Sequence, residues 1–196
     1  MARDRKKGGP VGSPPKVANK FLQRFSPETL EAVGPLVGAS WILPGVQLEL
    51  LKQAGRSIPT PVSGHLLLDT GARSTCISQA VARQLGLKPI GKVKGFGAGG
   101  EHINDLVFAR LQIAISDHRG FTTLIWWEMP CQAIPEMERH LGGIEINGQP
   151  VVVIGLLGRD ILRVATVMYS GKNGTLEVTF DPNWIRARND PSLLQP

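Results

Sequence analysis

Asp69 is the residue whose setting calls for chemistry. It closes the apolar run Leu66-Leu67-Leu68 and is followed by Thr70, Gly71 and Ala72. Strand interiors disfavour aspartate. A carboxylate at the inner end of a buried strand is costly unless it is paired or put to use. A small turn suits its presentation, and Gly71, with no Cβ, lets another backbone approach closely. A second pattern, Leu156-Leu157-Gly158-Arg159-Asp160, again places a glycine and charges after an apolar run. Little else has this character. His65, His102, His118 and His140 lack ligand spacing, so no metal or other cofactor is expected. Ser74 and Ser78 have no Ser-His-Asp context. Gly95, Gly97 and Gly100 have the spacing of a dinucleotide loop, but they do not lie between a buried strand and a helix.

The elements that must position these residues read mostly as strands. Val46, Leu48 and Leu50 alternate with polar residues, which predicts a half-buried strand. Residues 62–69 form the next strand, with the Leu run buried on both faces. A short strand over 74–77 follows the turn. Ser78 then caps a helix over 79–85, stopped by Gly86. Residues 93–104 read as a glycine-rich hairpin with its tip near Gly97, Ala98, Gly99 and Gly100. Residues 106–115 alternate again. Residues 121–127 read as a strand and 130–140 as a loop or short helix. Trp126 and Trp127 would face opposite sides, one of them in the core. Asn147-Gly148 is a strong hairpin signal. A strand over 151–157 leads into Gly158 and a short helix over 161–164. A last hairpin pairs 167–169 with 175–180, and Asp181-Pro182 caps a turn containing Trp184. Short strands with Gly-rich turns and two small helices give an all-β domain over 41–182. Around it the sequence predicts a basic disordered tail over 1–25, a short helical appendage over 26–40 opened by Ser26-Pro27, and a C-terminal tail over 183–196.

The two motifs, in this order and each preceded by a strand pattern, resemble the signature of retropepsin-like (retroviral-type) aspartic peptidases. The hairpin, the Gly-Arg-Asp helix and the last strand fall in the family's order from about Val46 to Phe180. The resemblance is to a cellular or bacterial-type member. It implies a closed single-lobe acid-protease barrel with a flap hairpin. It also implies an aspartic endopeptidase acting on a protein or peptide substrate. With one Asp-Thr-Gly per chain, activity would need a homodimer.

On this resemblance Asp69 is the catalytic carboxylate. Two copies would lie roughly 3 Å apart and share one proton. Thr70 would bond across the dimer axis, and Gly71 and Ala72 would form the floor. Phe96, Gly97, Ala98, Gly99 and Gly100 are the flap and substrate residues. Arg159 and Asp160 are expected to brace the turn. The family often has an acid two residues beyond the turn glycine, but Arg73 stands here. Either Asp160 pairs with Arg73 or Arg159 finds another partner. Arg73 also sets a cation near the groove, which would favour acidic substrate side chains. Residues 175–180 are the candidate dimer strand. The alternative is a catalytically silent module of this family that dimerises and grips extended peptides.

Composition sets the outer bounds. The net charge of +6 lies wholly in residues 1–24, with seven basic residues and one acid; the rest is neutral. That tail is available to anionic partners, nucleic acid or a membrane surface, but the neutral remainder argues against nucleic-acid binding as the main function. Cys76 and Cys131 read as small core residues of a reducing compartment. No apolar run approaches the roughly 20 residues of a membrane span. The basic start has no apolar segment after it, so it is no secretory signal, and a cytoplasmic location is expected.

Overall fold

The computed structural model describes residues 19–97, 100–117, 119–137, 145–146 and 149–189. Twelve strands carry most of the fold: β1 (Lys20–Arg24), β2 (Leu36–Ile42), β3 (Val62–Leu68), β4 (Cys76–Ser78), β5 (Pro89–Gly97), β6 (Gly100–Ser116), β7 (Thr122–Ile134), β8 (Glu145–Ile146), β9 (Gln149–Pro150), β10 (Val153–Leu157), β11 (Ala165–Ser170) and β12 (Thr175–Phe180). Among the described residues five helices accompany them: α1 (Pro27–Val33), α2 (Gly45–Gln53), α3 (Gln79–Gln84), α4 (Arg159–Leu162) and α5 (Pro182–Asn189).

Six strands close on themselves in the order β6-β2-β3-β10-β4-β7, because β7 pairs back onto β6. This is the all-β barrel expected of the sequence. Closure leaves these strands without open edges on the ring. Its interior is filled by Trp41, Leu66, Ile77, Leu111, Ile113, Ile154 and Leu157, all fully buried. The central feature is β10. It inserts between β3 and β4, parallel to β3 and antiparallel to β4. The two segments that bear Asp69 and Gly158-Arg159-Asp160 therefore leave the sheet side by side.

Several boundaries differ from the sequence expectation. Residues 46–50 are helical, not a strand. The alternation of Val46, Leu48 and Leu50 is misleading, since Val46 and Leu50 are exposed while Leu48 and Leu51 pack on the core. That inward pair has helical spacing, and the segment is rich in strong helix formers. Glu128 anchors the helix start by accepting from the Gly45 N–H at 2.6 Å.

The expected tail over 1–25 also needs correction at its end. Lys20–Arg24 form β1, paired along β12, with Lys20 bridging Glu177 at 2.6 Å. Residues 1–18 lie outside the described residues. The segment 26–40 is no appendage: Leu30 is fully buried, and β2 is a wall of the barrel. Ser26 does cap α1, accepting from the Thr29 N–H at 3.1 Å. In the expected C-terminal tail, α5 buries Ile185 and stacks Trp184 on Trp127 with centroids 5.2 Å apart.

The strand expected to end at Trp127 runs on to Ile134, through Pro130. At Pro130 the β4 side of the strand is unpaired, since β4 joins that edge only from Gln132 onward, the kind of edge position at which a strand tolerates proline. Trp127 is the core tryptophan, while the more exposed Trp126 lies under the Arg110 guanidinium at 4.8 Å. Finally, β12 is held on one side by β11 and on the other by β1. It has no open edge to offer a second copy, whereas among the described residues β11 has β12 as its one neighbour in the sheet.

Candidate active site

Asp69 follows directly on β3 and is half-buried. Its N–H donates to the Leu157 carbonyl at 3.0 Å, which ties the turn to β10. Its Oδ1 accepts from the Gly71 N–H at 2.8 Å and from the Ala72 N–H at 3.1 Å. Two backbone donors on one oxygen fix the carboxylate's direction. Oδ2 has no hydrogen-bond partner among the described residues. One oxygen is thus restrained and the other is available to a reactant. A Cβ on Gly71 would lie 3.0 Å from Oδ1 and crowd the carboxylate. Thr70 and Gly71 are exposed.

The late motif meets this turn from below. The Arg159 N–H donates to the Ala72 carbonyl at 3.1 Å. Asp160 accepts from the Thr75 N–H at 2.9 Å on one oxygen and 3.0 Å on the other, and from the Thr75 hydroxyl at 2.8 Å. Thr75 Oγ1 in turn accepts from the Gly158 N–H at 3.1 Å. Neither side-chain pairing expected from the sequence is seen among the described residues. Asp160 does not pair with Arg73, and among the described residues neither the Arg73 nor the Arg159 side chain has an ion-pair partner. Both are exposed. Arg159 therefore holds the turn through its backbone, and the side-chain brace is Asp160 on Thr75. Nothing in the spacing of the sequence singled out Thr75.

Beneath the turn, Cys76 is buried. Burial pushes its thiol up to about 12, with the nearby negative charges of Asp160 and Asp69 adding to the shift. Its neighbours across the sheet are Leu156 on β10 and Gln132 on β7. The hairpin β5–β6 rises beside this floor. Phe96 pairs with Glu101 and Gly97 with Gly100, whose φ of +98° suits glycine. Ala98 and Gly99, at the expected tip, lie outside the described residues. The hairpin leans over β7: a Cβ on Gly95 would meet Gln132 Oε1 at 2.9 Å. Among the described residues no group of acids, histidines and cysteines is arranged to hold a metal ion.

Both oxygens of Asp160 are engaged by Thr75, whereas Oδ2 of Asp69 has no hydrogen-bond partner among the described residues. Such a group supports acid–base chemistry on water or on a carbonyl. A family model described as aspartyl protease matches residues 60–162, a span that includes the Asp69 turn, the hairpin and Asp160. No curated protein matches the chain. No described helix is long and apolar enough to cross a membrane.

Proposed function

Because the chain belongs to the aspartyl protease family, we propose that it is a retropepsin-like aspartic endopeptidase that works as a homodimer. The observation that carries this reading is the Asp69 carboxylate, directed by two backbone N–H groups and flanked by the exposed Thr70 and Gly71. Each barrel supplies one such group. A two-fold axis passing near exposed Thr70 would set two of them face to face, and the outer edge of β11, which has no strand beside it among the described residues, is one edge open to the contact.

In that pair the like charges cannot both ionise at roughly 3 Å, so the dyad holds one proton and titrates as a unit. The ionised Asp69 takes a proton from water as the water oxygen bonds to the scissile carbonyl carbon. The protonated Asp69 of the other copy gives its proton to the carbonyl oxygen. Collapse of the diol restores the carbonyl, breaks the C–N bond and delivers a proton to the departing amine. The β5–β6 hairpin closes over an extended peptide and excludes water other than the reactant. Main-chain hydrogen bonds hold the peptide between hairpin and floor.

The exposed Arg73, which replaces an expected acid, favours a second reading: a peptide-gripping module without cleavage. One experiment separates the two. A diverse peptide pool is incubated with wild type and with Asp69→Asn from mildly acid to neutral pH and read by mass spectrometry. Cleavage that is lost in Asp69→Asn and falls faster than linearly on dilution supports the dimeric peptidase. Silence of both proteins, with dimers still formed, favours the gripping module.

A further inference from the structure

One polar feature lies on the substrate-facing side of the floor and has no part in the chemistry above. Strand register lines up Leu106, Gln132, Cys76 and Leu156 across four strands. Paired residues share a face of the sheet, and neighbours along a strand take the other. The alternate row, Ala133, Ile77 and Gly155, is buried inside the barrel. The Gln132 row therefore lies on the outer face, where the hairpin leans over it. Asp69 belongs to the same side, two residues on from Leu67, which is the register partner of Leu156.

Within this largely apolar row Gln132 is joined by Asn104. The Asn104 Nδ2 donates to Gln132 Oε1 at 3.2 Å. Asn104 is only 7% exposed. Neither amide has another hydrogen bond among the described residues. A carboxamide offers two donors and an acceptor with two lone pairs, so the pair leaves the Asn104 carbonyl and the Gln132 NH2 unspent. Gly95 lies directly above. A Cβ there would lie 2.9 Å from Gln132 Oε1 and 3.2 Å from Asn104 Nδ2, so a side chain at this position would displace the two amides from their present places. At Gly95 the hairpin is thus bare where it passes over the two amides.

We propose that Asn104 and Gln132, roofed by Gly95, form a subsite that seats a carboxamide side chain, Asn or Gln, of the peptide. A substrate carboxamide can accept from the Gln132 NH2 and donate to the Asn104 carbonyl at once, which an aliphatic side chain cannot. The subsite lies within a few residues of the scissile bond, at about 4.8 Å per strand spacing from β10 to β7. The inference rests on the peptidase reading for its peptide ligand, and the test therefore reads binding as well as cleavage.

The test uses full-length protein and two matched peptide sets, one with Gln and one with methionine of like size at each position in turn. Cleavage is followed with wild type and binding, by fluorescence anisotropy, with Asp69→Asn. Each is repeated in the Gln132→Leu background, with a melting curve to confirm that the variant folds. The expected result is a preference for Gln over Met of about tenfold at one position, as two neutral hydrogen bonds support, falling to about one in Gln132→Leu. Should Gln132→Leu not fold, Gly95→Ala, which crowds the same amides, must lower the same preference. Cleavage with no Gln preference, or with one that the variants leave unchanged, overturns the subsite and leaves the peptidase standing. Preferential binding of Gln peptides without cleavage sustains the subsite and sinks the peptidase. Absence of both cleavage and binding overturns both.

Discussion

Asp160 holds Thr75 by both ends: the carboxylate accepts from the Thr75 backbone N–H and from its hydroxyl, at 2.8–3.0 Å. Thr75 is fully buried, and its hydroxyl oxygen also accepts the Gly158 N–H. This clasp joins the strand after the Asp69 turn to the helix after β10. Replacing Asp160 with alanine leaves a buried N–H and a hydroxyl without their acceptor. Asp160→Ala is expected to cost about 2–3 kcal/mol of stability, as hydrogen bonds to a charged group do. Urea unfolding measures it. A loss below about 0.5 kcal/mol would show that water replaces the carboxylate at no cost.

The two cysteines are buried and free. Burial raises both thiols, Cys76 to about 12. At pH 8 the Cys76 thiolate fraction is then about one part in ten thousand, and the thiolate is the reactive form. Native protein is expected to be inert to a disulfide reagent at pH 8, with both thiols reacting in denaturant. Rapid labelling of either in the native state would contradict the burial described here.

His65 lies on β3 with its Nδ1 buried and unpartnered among the described residues. Burial lowers its pKa below the ordinary 6.5. Above 6.5 folded and unfolded chains both hold it neutral, and it has no effect on stability. As pH falls from 6.5 through the lower folded value, the unfolded chain binds the proton more readily, so stability is lost. His65→Phe removes that proton site. The variant is expected to lose less melting temperature than wild type between pH 7 and pH 5. Equal losses would mean that His65 is not a source of the acid sensitivity.

The helix α5 is docked through Ile185, which is almost wholly buried, and through Trp184 on Trp127. Ile185→Ala is expected to cost about 2–4 kcal/mol, the usual range for emptying such a site. Equilibrium unfolding followed by tryptophan fluorescence is suited to reading it. A cost near zero would mean that the helix does not stay on the barrel in solution.

The parts of this fold that the sequence made legible are those where local chemistry and tertiary structure agree. Ser26 and Ser78 cap helices as their types require. The β5–β6 hairpin and the strand into Asp69 follow their glycines and their apolar run. What misled was competition between two periods. Val46, Leu48 and Leu50 fit a strand by alternation, yet Leu48 and Leu51 face the core with helical spacing. Lys20–Arg24 looked like tail because its charge hid a strand that is defined by its pairing along β12 and, at Lys20, with β6. The Asp160–Thr75 clasp and the Asn104–Gln132 pair were not legible for a related reason. They join residues 85 and 28 positions apart, and only the closed sheet brings them together.

The position of β10 also bears on how the molecule is made. Chain order puts β3 and β4 close together, yet β10 lies between them, and the Asp69 N–H finds its acceptor on Leu157. During translation Asp69 leaves the ribosome long before Leu157 does. Until then its turn lacks the strand that holds it, and the emerging barrel has a gap. Pairing of such sequence separation is slow to form. Newly synthesised chains therefore carry an unset carboxylate turn until β10 has emerged and paired, so any activity that depends on it waits for that strand.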